Sequence, residues 1–473
     1  MPQDTVYELR PTGWENDPEV ERFKLSTIDR TPTLTYNQYM VFFRADDAQK
    51  DQACKILKEG LEKTLSQAKY MCGKIETDPE GGHSFVKRKD STVRFVIRKF
   101  DSGDDGAPSI AEIEKAHFAA HALGGISLLS IPGMQWGTGV AAQLENIPVV
   151  AAYQLNLIRD GLLFSMQSHH YATDVMGWAN FTRQLADNCR AISDGTPFST
   201  WDPARIDVAR FTKDLPEDKL VDGPPPASRH PDHPEQQAVL FHLPKSKAAE
   251  LKKLATPTDP NAHWISTYDA VCAFIWRMQT KVRASMHKPD LSNPIYWGEA
   301  VDMRPRLRNP PAPDRMMRNI VAGAFSDSAP VPPPTTAEVI SEAPLPRLAG
   351  YVRALTESCT EAHLGRLIDL IAPVRDKRSV SLVVDAHPPM STFVTDHRSG
   401  DVSGLDFGFA KSLTYRYIWG DDVTAGLILI YAPVTSANPD EGCMFTVTME
   451  KELIPKLRED PEWSKYFEYR GVD

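Results

Sequence analysis

The sequence predicts a protein of two domains, each mixing strands with helices. Three observations carry that expectation. At 473 residues the chain exceeds what one hydrophobic core usually serves. A stretch with little apolar periodicity, residues 200–237, divides it and contains Pro224-Pro225-Pro226 and His230-Pro231-Asp232-His233-Pro234. On either side, short β-branched and aromatic runs alternate with segments of helical period. The expected division is a first domain at 1–215, a crossover linker at 216–237 and a second domain at 238–473.

In the first half, Tyr39-Met40-Val41-Phe42-Phe43 reads as a strand, and Ile56, Leu57, Leu61 and Leu65 mark one face of the helix after it. Gly81-Gly82 separates these from residues 92–97, a second strand. Residues 101–115 are acidic and contain Gly and Pro, so they read as a surface loop followed by a short helix. GTGVAA, starting at Gly137, has the GxGxxA spacing of a dinucleotide fingerprint. No clear strand precedes it, and Pro148 follows too soon for a long phosphate-capping helix, so a nucleotide fold is rejected there. Residues 149–158 and 162–167, parted by Arg159-Asp160-Gly161, read as a hairpin of buried strands. Trp178, Phe181, Leu185, Cys189 and Ile192 then recur at helical spacing until Asp194-Gly195-Thr196-Pro197 stops the pattern.

In the second half, residues 238–243 read as a strand and 245–254 as a helix. Ser266-Thr267 caps a helix carrying Tyr268, Val271, Ile275 and Trp276. A Pro-rich loop at 330–334 precedes a largely helical stretch at 338–370. Strands return at 427–431 and 444–448, with a helix from Leu453.

Composition narrows the function. Hydrophobic content of 41% and charged content of 25% are ordinary for a soluble globular protein. A formal charge of −10 argues against a nucleic-acid partner. The six cysteines are scattered without a CxxC pair and read as reduced thiols. The opening residues lack an apolar core, and no run reaches bilayer length, so neither a signal peptide nor a membrane partner is expected. The plain expectation is a cytoplasmic monomer.

The chemistry gathers in SHHYATDVMGW, which places His169, His170 and Asp174 where the predicted hairpin hands over to the helix. A rigid element can hold a reacting side chain there. An imidazole near its unperturbed pKa takes a proton from an alcohol or amine at neutral pH. Asp174 on its own reads as an N-cap, and His169 as a packed core histidine. Zinc would need a third ligand and an open position, which nothing nearby supplies, so no metal is expected. Asp406-Phe407-Gly408-Phe409-Ala410 contains the DFG of protein kinases, yet the glycine-rich loop, strand lysine and HRD loop of a kinase are missing. A tight turn with an aromatic plug is the plain alternative.

Taken together these residues resemble the BAHD acyltransferase family, CoA-dependent enzymes with a chloramphenicol acetyltransferase-like fold. The family's HHxxxDG is matched by His169, His170 and Asp174, with Val175 for the glycine. Its DFGWG is matched by DFGFA at 406–410, and VDxRxRL by VDMRPRL at 301–307, with Asn319 at the familiar distance. LSTIDR at 25–30, STYDAVCAFIW at 266–276 and Thr395, eleven residues before Asp406, look like the family too. The Pro-rich insertions and the PEWSKYFE tail look more like fungal members, including those acetylating trichothecenes, than plant ones.

The resemblance implies an α/β architecture of two domains, mixed sheets with flanking helices, and a channel between them with His170 midway. CoA enters from one side and a small-molecule acceptor from the other. His170 would act as general base for direct attack on an acyl-CoA thioester, with acetyl-CoA the donor implied by fungal members. Thr395 matches a position near the reacting centre and is the oxyanion candidate. Asp174 pairs with Arg304 and holds the catalytic loop. Asp406 and Gly408 support the structure away from the chemistry, on the CoA side, and Ser266 and Thr267 bind the co-substrate. Tyr36, Phe42, Phe43 and Trp178 are channel candidates for the acceptor pocket, with the protein core as the alternative. Two other classes compete. A peptide-synthetase condensation domain shares HHxxxD but normally lacks DFGWG, and a non-catalytic binding protein on this scaffold would be expected to lose the base.

Overall fold

The computed structural model describes residues 3–79, 81–100, 107–137, 139–259, 262–420, 423–434 and 438–473. Most of the acidic loop expected after Lys99 lies outside the described residues; the short helix after it is Ile110–Lys115.

Two mixed sheets carry the molecule. The first has six strands in the spatial order Gln3–Leu9, Val93–Lys99, Ala151–Ile158, Gly161–His169, Tyr36–Arg44 and Ser412–Tyr417. Among the described residues its one parallel pair is Val93–Lys99 with Ala151–Ile158. The second has seven strands: Val321–Phe325, Trp297–Asp302, Thr392–Asp396, Leu427–Ile430, Cys443–Glu450, Gln236–Leu243 and Glu468–Val472. Thr392–Asp396 lies parallel to both of its neighbours. A small sheet of Val20–Lys24, His83–Arg88 and Lys74–Thr77 is joined by an isolated bridge, Lys74 with Val149, to the segment leading into Ala151–Ile158.

Every residue of Ala151–Ile158 and Gly161–His169 is buried, as is Tyr36–Arg44 up to its last residue. Sheet strands covered on both faces lose the polar alternation of a half-exposed sheet, which is why the hairpin reads as two continuous apolar runs. Helices Asp47–Gln67 and Val175–Asp194 supply apolar residues to the core on one face, among them Leu57, Leu61, Phe181 and Leu185. In the second half, Thr267–His287 and Leu345–Ser358 bury Trp276, Tyr351 and Val352 against Trp297 and the strands beside it. The long helical stretch expected at 338–370 is in fact three pieces, Glu338–Glu342, Leu345–Ser358 and Glu361–Ile371. Pro344 and Thr360 take extended conformations at the breaks.

The halves are not separable at the linker. Ser412–Tyr417 crosses over and pairs antiparallel with Tyr36–Arg44, Tyr415 opposite Val41 and Tyr417 opposite Tyr39. An expected boundary at 238 therefore assigns to the second half a strand that hydrogen-bonds in the first sheet. The largest apolar cluster likewise mixes Tyr39 and Trp178 with Tyr415, Leu429 and Met444. The linker is pinned too: Val221 N–H donates to the Pro373 carbonyl at 2.8 Å and its carbonyl accepts from Arg375 N–H at 2.8 Å.

One buried acid makes stability depend on pH. Glu299, 1% exposed, accepts hydrogen bonds from the Tyr268 and Thr356 hydroxyls. Burial pushes its pKa up to about 7, against those two hydroxyls. The folded state thus holds a proton that the unfolded chain releases near pH 4.5, so stability falls as pH rises from about 4.5 to about 7. The full effect is on the order of 3 kcal/mol. Melting temperatures taken from pH 5 to 7.5 should fall less steeply for Glu299→Gln than for wild type; parallel curves would mean that Glu299 is ionised throughout.

Candidate active site

Asp174 ends the loop after Gly161–His169 and starts helix Val175–Asp194. Its Oδ1 accepts from Gly177 N–H at 2.7 Å, the expected N-cap. The same carboxylate takes two bonds from Arg304, at 3.1 and 3.0 Å, and one from Ile320 N–H at 2.8 Å. Arg304 spends its other donors on the Met316 and Arg318 carbonyls and on Asp302. This is a bidentate, buried pair joining the two halves, so its geometry fixes the loop rather than orienting a ring. Gly177 sits where a Cβ would lie 2.5 Å from the Arg318 carbonyl oxygen, so the helix approaches that backbone only with glycine there. Val175, where the family has glycine, begins the helix, and a Cβ built on Gly400 would lie 3.2 Å from its side chain.

A second clamp holds the histidine loop from the far half. Asn319 donates to the carbonyls of His170 at 3.0 Å and Tyr171 at 2.9 Å, and to Asp29 at 3.2 Å. Asp29 in turn pairs with Arg318, both side chains at 2% exposure or less. LSTIDR and Asn319 were visible in the sequence; Arg318, the cation that neutralises Asp29, was not.

The two histidines differ sharply. His169 is fully buried, with Nε2 2.9 Å from the Ala142 carbonyl and Nδ1 accepting from Tyr171 N–H at 3.1 Å. Burial pulls its pKa down to about 4, so it is a neutral core group. His170 keeps partial exposure, while its Nδ1 is sealed and makes no hydrogen bond. Its backbone N–H donates to the Thr35 carbonyl at 2.8 Å. Burial lowers its pKa, opposed by the carbonyls of His170 and Thr173 and by Asp174. The ring is therefore neutral and can accept a proton at neutral pH.

Aromatic side chains surround it. The Trp136 ring lies 6.2 Å from the His170 ring and packs on Tyr417 and Trp419. The segment carrying Trp136 is tied down by Gln167, which receives the Ile131 N–H and donates to the carbonyls of Ile131 and Met134. Nothing in the local sequence pattern singles out Trp136. Tyr36, Phe42, Phe43 and Trp178 are each at most 3% exposed and belong to the core, Phe42 against Phe118 and Phe43 against Phe407.

Thr395 lies half-buried on Thr392–Asp396, between Ala300 and Leu429. Two residues on, His397 is buried, and its pKa is pulled down to about 3 by burial and by His170 nearby. The strand thus brings its end towards the histidine. Asp406 Oδ1 accepts from Gly408 N–H at 2.9 Å, and Gly408 has φ 79°. A Cβ there would meet Ser193 at 2.4 Å, so DFGFA is a turn seated on the end of helix Val175–Asp194. Ser266 caps Thr267–His287 reciprocally with Asp269, and Thr267 is exposed. Close by, Lys252 and Arg353 lie over the exposed ring of Trp264.

Two mixed sheets with flanking helices, and a histidine loop on the first pinned from the second half, form a fold of the chloramphenicol acetyltransferase type. Residues 135–464 match the transferase family, and residues 35–189 match the trichothecene 3-O-acetyltransferase-like N-terminal domain. The chain belongs to the transferase (BAHD) family. It is 49% identical to acetyltransferase FGR3 of Gibberella zeae over 100% of this chain and 95% of that protein. It is 27% identical to trichothecene 3-O-acetyltransferase TRI101 of Fusarium sporotrichioides, over 95% of this chain and 97% of that one. The structure of F. graminearum TRI101 complexed with coenzyme A and T-2 mycotoxin superposes with TM-score 0.77 at 23% identity, covering 95% and 100% of the chains. Vinorine synthase superposes with TM-score 0.63 at 20% identity, covering 96% of each. The protein is an acyltransferase. Among the described residues no helix is long and apolar enough to cross a membrane.

Proposed function

We propose that this acyltransferase moves an acetyl group from CoA to a hydroxyl or amine of a small secondary-metabolite acceptor, with His170 as general base. One observation carries the reading: a histidine, its pKa lowered by burial, that stays partly exposed while its Nδ1 is sealed and its backbone is pinned from both sides. The acetyltransferase names of the relatives and the coenzyme A and T-2 mycotoxin in the TRI101 complex support the donor and the acceptor class.

Acyl-CoA supplies the activated carbonyl. His170 takes the acceptor's proton as its oxygen or nitrogen attacks that carbon, and returns it to the departing thiolate. The Thr395 hydroxyl donates to the oxygen that becomes negative. Asp174 and Arg304 keep the loop in register and take no proton. Ser266 and Thr267, at a helix N-terminus beside Lys252 and Arg353, suit the phosphates of the co-substrate. The enzyme is read as a cytoplasmic monomer.

The test is release of free CoA from acetyl-CoA in the presence of a panel of hydroxylated and amino metabolites. Acceptor-dependent release is expected, and Thr395→Val should lower it by about 10- to 10³-fold with little change in CoA affinity. No thiol release from any acyl-CoA would overturn the function. An unchanged rate in Thr395→Val would move the oxyanion to other donors.

A further inference from the structure

A cavity of about 240 Å³ opens beside Tyr171, the residue after His170. In a chain of formal charge −10, it gathers Arg30, Lys213, Arg375, Lys377 and Arg378. Two of these cations are poorly compensated. Arg30 is 7% exposed and its bonds are long: 3.4 Å to the Ser26 carbonyl, 3.3 Å to the Leu25 carbonyl and 3.5 Å to Asp214. Asp214 sits nearer to Lys24, at 2.7 Å. Lys377 donates to the carbonyls of Ala372 and Val374 and pairs with no carboxylate among the described residues.

The other acids are taken. Arg375 is paired with Glu217 and Asp222, and Arg378 with Asp376 and Glu145. Burial and Arg30 together pull the Lys377 pKa down to about 8, with Asp214 acting the other way. Two neighbouring cations with one shared carboxylate are an unfavourable arrangement in a partly dry cleft. An anion accepting from both would relieve it through charge-assisted hydrogen bonds.

We propose that this cleft binds an anionic group of a small molecule, a phosphate or a carboxylate, between Arg30 and Lys377. The phosphates of CoA are already placed at Ser266 and Thr267, so the source here is an acid group on the acceptor or on a separate effector. The site is independent of the proton transfer at His170.

Inorganic pyrophosphate is the probe, titrated into the full-length protein and followed by ³¹P NMR. Saturable binding is expected, weakened at least about 10-fold in Lys377→Gln at an unchanged melting temperature. Should that variant fail to fold, Lys213→Gln on the exposed rim should weaken binding several-fold. His170→Ala should bind the probe as wild type does, which separates this site from the base. Pyrophosphate that stays bound at saturating CoA assigns the site to those other acids; displacement by CoA would make the cleft part of the co-substrate site and overturn the proposal. No saturable binding in wild type, or equal affinity in the folded lysine variants, overturns it.

Discussion

Replacing His170 by alanine is expected to cut turnover by about 10² to 10⁴-fold or more, with the melting temperature and CoA affinity close to wild type. The structure explains why the fold should tolerate the loss. The His170 side chain makes no hydrogen bond through Nδ1, whereas its backbone is held by the Thr35 carbonyl and by Asn319. Truncation therefore removes a proton acceptor and little else. His169→Ala should show the opposite pattern. That ring joins Ala142 to Tyr171 and packs edge-on against Tyr36 and Tyr171, so its removal opens a core cavity and costs stability first. Steady-state rates and thermal denaturation of both variants check the pair. A His170→Ala enzyme with near-normal turnover would remove that residue from the chemistry.

Breaking the Asp174–Arg304 pair is expected to cost about 3–5 kcal/mol of stability for either single change, because the partner is left buried and charged. The proteins to compare are wild type, Asp174→Asn, Arg304→Met and the double variant. Activity and melting temperature should fall together in each single variant. The double variant should lose less than their sum, because the Asp174 charge that Arg304 compensated is then gone, although Asp302 still loses its arginine. Arg304→Met also strands the Met316 and Arg318 carbonyls, so it should be the worse of the two. Asp174 has its bonds with Gly177, Ile320 and Arg304, and none with the imidazole. A triad aspartate would orient the ring and spare the fold. An Asp174→Asn protein of normal stability and no activity would put Asp174 in the proton path after all.

Local chemistry made the histidine loop legible. Its strand is buried on both faces, its helix begins with an N-capping aspartate, and VDMRPRL carries the arginine that meets it. Long-range partners left weaker traces. Residues 412–417, SLTYRY, alternate well enough for a strand, but alternation does not say which sheet receives it. Asp29 and Arg318 are 289 positions apart, and a buried ion pair leaves no periodic signal in either segment. Trp136 sits in a stretch of short turns where no helical or strand period exists to mark an inward face. Conversely, Phe42 and Phe43 looked equally fit for a channel or a core, since apolarity alone does not distinguish the two.

The strand Ser412–Tyr417 has a consequence for biosynthesis. On the ribosome, Tyr36–Arg44 emerges early, yet the partner for its open side is translated only after most of the remaining chain. Until then the first sheet ends in an unpaired, apolar edge, the kind of surface that recruits foreign strands. Closure spans almost the whole sequence, so it comes late and slowly. The nascent first half thus exposes an apolar sheet edge throughout most of elongation. A message truncated between Asp174 and Ser412 yields a chain with its histidine motif complete and its sheet unclosed.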